Sequence, residues 1–128
     1  MSSIYQEIIL DHYKSPHNYG ELSDPSCAIH IDNPSCGDKI HLSGTIKDGT
    51  LTDVAFTGQG CAISIASSSL LTDYIKGKKV SDLKKLDTSI ILELLGIELS
   101  PNRLKCALLP LEALGKLLSN GSKANPTD

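Results

Sequence analysis

From Cys27 to Phe56 the apolar residues recur at every second position, and on both sides of that stretch they recur at helical spacing. This change of period limits the fold more than any other feature of the chain. Ile29 and Ile31 alternate with polar residues. Ile40, Leu42 and Ile46 do the same, with Gly44 in the matching slot, and Val54 and Phe56 make a third run. Asp48-Gly49 separates the second and third runs and suits a tight hairpin, whose central residues need left-handed backbone. The pattern predicts three short strands, at least two of them antiparallel.

Ile4, Ile8 and His12, with Tyr5, Ile9 and Tyr13, predict a helix that stops at Ser15-Pro16, because the residue before proline leaves the α region. Residues 16–26, with Pro16, Gly20 and Pro25, read as an extended connector. Beyond Gly60, the residues Ile63, Ala66, Leu70 and Tyr74 share one helical face, and Lys76-Gly77 closes that helix. Ser67, Ser68 and Ser69 keep part of it narrow enough for a neighbour to pack closely. A short helix is expected over 81–86 and another from Asp87 to Leu95, ended by Gly96. The last helix is expected from about Cys106 to Ser119, since Pro110 suits only a first turn. With no internal repeat or linker, residues 1–119 read as one domain and 120–128 as a disordered C-terminal tail. A small antiparallel sheet cannot bury its apolar face alone, so the expected fold is α+β, a two-layer domain with a three-stranded antiparallel sheet covered by helices.

Composition narrows the function. Twelve Lys and Arg against 15 Asp and Glu give a net charge of −3, which disfavours sequence-independent nucleic-acid binding. The lack of Trp and the single Phe argue against a base-stacking platform. No run approaches the ~18 apolar residues of a membrane span, and the first residues lack the pattern of a signal peptide. The expectation is a cytoplasmic protein that binds neither nucleic acid nor membrane, in a compartment that keeps cysteines reduced.

The four cysteines are Cys27, Cys36, Cys61 and Cys106. Cys27 opens a strand and reads as a small buried hydrophobe. The other three stand at punctuated boundaries. Cys36 lies in the turn Asn33-Pro34-Ser35-Cys36-Gly37-Asp38, Cys61 follows Gly58-Gln59-Gly60, and Cys106 follows Pro101 at the expected start of the last helix. A helix N-terminus favours thiolate through its unpaired N–H groups, so Cys61 and Cys106 are candidate ligands or nucleophiles. No two cysteines form a C-x-x-C pair, and spacing alone leaves a shared site open. Asp38, two residues after Cys36, adds an oxygen donor. Three thiolates and a carboxylate make a four-ligand set suited to Zn²⁺ or an iron–sulfur cluster.

These segments resemble the IscU/SufU/NifU-N-terminal family of iron–sulfur cluster assembly scaffolds. Tyr5 to Asn18, with its Asp11-His12-Tyr13 and Pro16-x-Asn18, is similar to the family's opening helix. Asn33 to Asp38, Gly58 to Ser69 and Lys105-Cys106-Ala107 are similar to its three ligand loops. The resemblance covers residues 4–118. It implies a three-stranded sheet with helices against one side. It also implies sulfur acceptance from a cysteine desulfurase of the SufS, IscS or NifS type, delivery to apo iron–sulfur client or carrier proteins, and an assembly site of Cys36, Asp38, Cys61 and Cys106. Cys36 and Cys106 are the candidate persulfide acceptors, Cys36 by resemblance to SufU and Cys106 by resemblance to IscU. Asp38, the weakest of the four ligands, is expected to keep the centre labile.

Within the family the loops around Cys61 and Cys106 resemble SufU. Lys105 stands where IscU proteins carry His, as a candidate cation beside a centre whose ligands outweigh its metal charge. Leu99-Ser100-Pro101-Asn102-Arg103 replaces the IscU motif Leu-Pro-Pro-Val-Lys, which speaks against recruitment of an Hsp70-type chaperone. The insertion that SufU proteins carry before the third cysteine is missing. The implied cofactor is Zn²⁺ or a [2Fe-2S] cluster. The implied activity is a cluster-building scaffold or a zinc-dependent sulfurtransferase that activates the desulfurase. A structural zinc domain and a cysteine-nucleophile enzyme are the readings outside the family. Tyr5 is expected either to meet a partner or to pack the first helix, and His12, His17, His30 and His41 to be surface, capping or docking residues.

Overall fold

The computed structural model describes residues 3–34 and 37–119. Cys36 and the tail 120–128 lie outside the described residues. The chain begins with α1 (Ser3–Lys14), continues through β1 (Cys27–Asn33), β2 (Asp38–Lys47) and β3 (Thr50–Gln59), and ends with α2 (Ala62–Ile75), α3 (Val80–Leu83), α4 (Thr88–Leu95) and α5 (Pro101–Ser119). The sheet has the order β1-β2-β3, antiparallel throughout. Asp48 (φ 51°) and Gly49 (φ 77°) make the β2–β3 turn, both left-handed as a two-residue hairpin requires.

The alternating residues do what their period demands. Ile40, Leu42, Val54 and Phe56 point into the core, while Lys39 stays exposed. Helices α2 and α5 lie against that inner face, and α1 and α4 pack on α2. The free edge of β3 is covered at both ends. Asn18 and Gly20 of the connector bond to Phe56, and Gly77 and Lys78 bond to Leu51. Both contacts remove an open strand edge from solvent.

The expectations for α2, α5 and α3 need correction. Helix α2 is not one-sided. Ser64, Ser67, Ser68, Ser69 and Thr72 are buried with its apolar residues, whereas Leu70 and Tyr74 are only partly buried. Its hydroxyls are satisfied locally or by neighbours. Ser68 donates to the Ser64 carbonyl (2.9 Å), and Ser67 donates to Ala107 on α5 (2.7 Å). Small hydrogen-bonded side chains let α1 and α5 approach this central helix from opposite flanks.

Helix α5 starts at Pro101, not near Cys106. Proline fits a first helical position, and the Ser100 carbonyl accepts the amide of Leu104 (2.8 Å). Pro110 therefore sits in the helix interior, at an intrinsic cost of about 3 kcal/mol. Burial of Leu109, Ala113, Leu114 and Leu117 around it offsets that cost. Short α3 ends at Leu83 and so covers only part of the expected 81–86. Helix α4 ends at Gly96 (φ 66°) as expected. The ring of Tyr5 lies so close to Gly96 that a Cβ there would fall 2.1 Å from it, so Tyr5 packs α1 against the end of α4.

Candidate metal centre

Three chain segments meet at one end of the sheet. The hairpin end of β1–β2 brings Asp38, the β3-to-α2 junction brings Cys61, and the second turn of α5 brings Cys106. A carboxylate oxygen of Asp38 and the sulfurs of Cys61 and Cys106 all lie within 4.8 Å of one another. Tetrahedral ligands around a metal with bonds of 2.0–2.3 Å stand about 3.3–3.8 Å apart. The three groups are thus close to the separation that a common ion imposes.

Asp38 is the most informative of them. As the first residue of β2, paired with Asn33, it is only 3% exposed. Its Oδ1 accepts the amide of Cys61 at 3.2 Å. Its Oδ2 is buried and has no hydrogen-bond partner among the described residues. An unpartnered buried oxygen costs about 1–3 kcal/mol, which a bound cation would offset. Gly60 makes the arrangement sterically possible. A Cβ at that position would sit 2.6 Å from Asp38 Oδ1 and 2.8 Å from Ser64 Oγ. The Gly58-Gln59-Gly60 segment marks the junction in sequence, but not the carboxylate it cradles.

Cys61 is exposed and forms the N-cap of α2 in extended conformation (φ −74°, ψ 170°). Beside it a groove of about 300 Å³ runs between α1 and the start of α5, lined by Gln6, Ile9, Leu10, Ile97 and Arg103. Cys106 differs from its expected setting. It is the sixth residue of α5, not an N-terminal one, and is only 6% exposed. The earlier start of the helix turns its side chain inward. Lys105, the preceding residue, is exposed. Cys36 precedes Asp38 by two residues, and its placement lies outside the described residues.

Cys27 stands apart from this group. It is 1% exposed, and its thiol donates to the Gly44 carbonyl at 3.6 Å. Burial pushes its pKa up, so it stays protonated and packs as an apolar residue.

The donor set passes the test that a metal or cluster poses. Two soft thiols and one desolvated carboxylate oxygen without a protein partner suit Zn²⁺ or an iron–sulfur cluster, and the exposed Cys61 leaves a way in. A small α+β domain that gathers two thiols and a carboxylate at one end of its sheet has the donor set of a candidate thiolate metal site.

The chain belongs to the family of the NifU-like N-terminal domain, whose model matches residues 4–124. It is 39% identical to the zinc-dependent sulfurtransferase SufU of Bacillus subtilis, over 91% of this chain and 90% of that protein. That alignment runs over 133 positions, more than the 128 residues of this chain, so the relative carries sequence that is missing here. The chain is 32% identical to the iron–sulfur cluster assembly scaffold protein IscU of Streptococcus pyogenes, over 97% of this chain and 88% of that one. A crystal structure from Fervidobacterium islandicum, described as a candidate iron–sulfur cluster assembly scaffold for the SUF system, superposes with a TM-score of 0.79. Its identity to this chain is 28%, with 91% of this chain and 97% of that chain covered. Among the described residues no helix is long and apolar enough to cross a membrane.

Proposed function

We propose that this protein accepts sulfur from a cysteine desulfurase and holds a labile metal or [2Fe-2S] centre through Cys36, Asp38, Cys61 and Cys106. The observation that carries the proposal is the buried Asp38 carboxylate beside two thiols, with one of its oxygens held by the Cys61 amide and the other without a hydrogen-bond partner among the described residues. A bound metal would supply charge that holds the ligand thiols as thiolates.

Sulfur acceptance uses the chain's own thiols. A thiolate attacks the outer sulfur of the desulfurase's cysteine persulfide. A new S–S bond forms on the scaffold, and the desulfurase cysteine leaves as thiolate. Cys36 is the first acceptor in this reading. Cys106, the other candidate, is nine-tenths buried and less open to a partner's persulfide. Lys105, exposed and next to Cys106 in the chain, is the candidate cation to offset the surplus negative charge of the ligands. The partners are a desulfurase and apo iron–sulfur client or carrier proteins, and the setting is cytoplasmic.

Protein purified without air should carry a stoichiometric metal or a cluster, read by metal analysis and the visible spectrum. A charge-transfer band identifies the cluster builder. Desulfurase turnover that does not change when the protein is added removes the proposal. A second reading, a zinc-dependent sulfurtransferase that activates the desulfurase without building clusters, draws on the likeness to SufU. Colourless protein with one zinc that still raises turnover selects it.

A further inference from the structure

A separate group of ligating side chains lies toward the other end of α2. His12 on α1, His17 in the connector and Asp73 on α2 each bring a ligand atom within 4.8 Å of the others. Cys61 and Asp73 are twelve residues apart along α2, or about 18 Å of helix. The two groups therefore cannot share an ion.

The side chains are held from behind. His12 Nδ1 is 2.6 Å from Ser69 Oγ, and the same oxygen accepts the His17 amide at 2.7 Å. Asn18 Nδ2 donates to Asp73 Oδ1 (2.9 Å) and to Thr72 Oγ1 (3.0 Å). Asp73 Oδ2 faces His17 Nδ1 at 2.5 Å. Asn18 itself is fixed in left-handed backbone (φ 59°), where its carbonyl accepts the Phe56 amide. The two imidazole centroids are 4.4 Å apart. The Ser69 and Asn18 hydrogen bonds already dock the connector on α2. Two imidazoles converging on a carboxylate are more than docking requires.

We propose that His12, His17 and Asp73 form a second site, for a borderline divalent cation such as zinc or ferrous iron, which ties α1 and the connector to α2. Two nitrogens and one oxygen suit such ions, in contrast to the sulfur-rich centre at the start of α2. Outer hydrogen bonds that orient metal ligands, as Ser69 and Asn18 do here, are the usual support of such a site. It goes beyond the sulfur-accepting role and does not depend on it.

Zinc titration of the full metal-free chain tests the proposal, with stoichiometry read by calorimetry and ring nitrogens by NMR. The expected result is two zinc equivalents, with the His12 and His17 ring signals moving on one of them and those of His30 and His41 still. His17→Ala should weaken that equivalent by about tenfold or more and leave the thiol equivalent in place. Asp73→Asn, which keeps the side-chain shape, should do the same. Unmoved His12 and His17 signals at saturating zinc overturn the site, whatever the variants do. So does full retention of both equivalents in both variants. A parent chain that binds zinc only with movement of the His12 and His17 signals, and no thiol equivalent, would count against the proposed function and support this site.

Discussion

The Cys61 amide donates to Asp38 Oδ1 at 3.2 Å across the junction of β3 and α2, while Asp38 Oδ2 is buried with no hydrogen-bond partner among the described residues. This one carboxylate both accepts the backbone amide at the start of α2 and is the oxygen donor of the proposed centre. Replacing Asp38 by Ala should separate these roles. The metal-free variant should be no less stable than the parent, because a desolvated oxygen disappears with the lost hydrogen bond. Loss of the weakest ligand should also slow release of the bound centre to a chelator. Release kinetics equal to the parent's would show that Asp38 does not set lability.

Gly60→Ala should damage the site more than the fold. The added Cβ would meet Asp38 Oδ1 at 2.6 Å and Ser64 Oγ at 2.8 Å, so the carboxylate must move. Release of the bound centre to a chromophoric chelator should change in the same direction as in Asp38→Ala, because both substitutions take the carboxylate away from the metal. The far-UV circular dichroism should stay that of the parent.

Chelation should leave the protein folded. The core of Leu42, Phe56, Leu71, Ile91 and Leu114 is built without the thiol cluster. A structural zinc domain would instead unfold when its metal is removed. Melting curves with and without chelator should both be cooperative, with a modest downward shift for the metal-free protein. Loss of the transition would favour the structural-zinc reading.

Thiol reactivity should follow burial. In metal-free protein, Cys61 is exposed, Cys106 is 6% exposed and Cys27 is 1% exposed with its pKa raised by burial. Timed alkylation at pH 8, read by peptide mass spectrometry, should label Cys61 before Cys106 and Cys27 last. Early labelling of Cys27 would contradict its place in the core.

The cap of α4 should respond to acid. Asp87 accepts the hydroxyl of Ser89 (2.6 Å) and its amide (3.0 Å), and both bonds hold the carboxyl below its ordinary pKa. The folded state thus releases this proton more readily than the unfolded one. The stabilisation is complete above the unfolded value near ~3.9 and is lost as pH falls through the lower folded value. Asp87→Ala should melt below the parent at pH 7, and the gap should narrow as the pH falls below the ordinary carboxylate value of ~3.9. A gap independent of pH would mean that the capping charge is not its source.

The sequence by itself determined the local structure. The period-two runs, Asp48-Gly49, Asp87 before α4 and Gly96 after it each act over a few residues through backbone preference, and each lies where its pattern requires. Only tertiary packing decided which side chains meet. Pro110 looks like a first-turn residue because an isolated helix cannot carry it inside, yet buried contacts offset its cost and carry Cys106 into the interior. The serines of α2 read as a narrow stretch open to close packing, and the fold buries them, but their partners Ser64, Ala107 and His12 are set by how the helices pack. Asp73 carried no local mark, since its partners His17 and Asn18 stand more than fifty residues earlier in the chain. A hydrogen bond across such a distance is created by the packing of α1 and the connector on α2, and no short-range pattern encodes it.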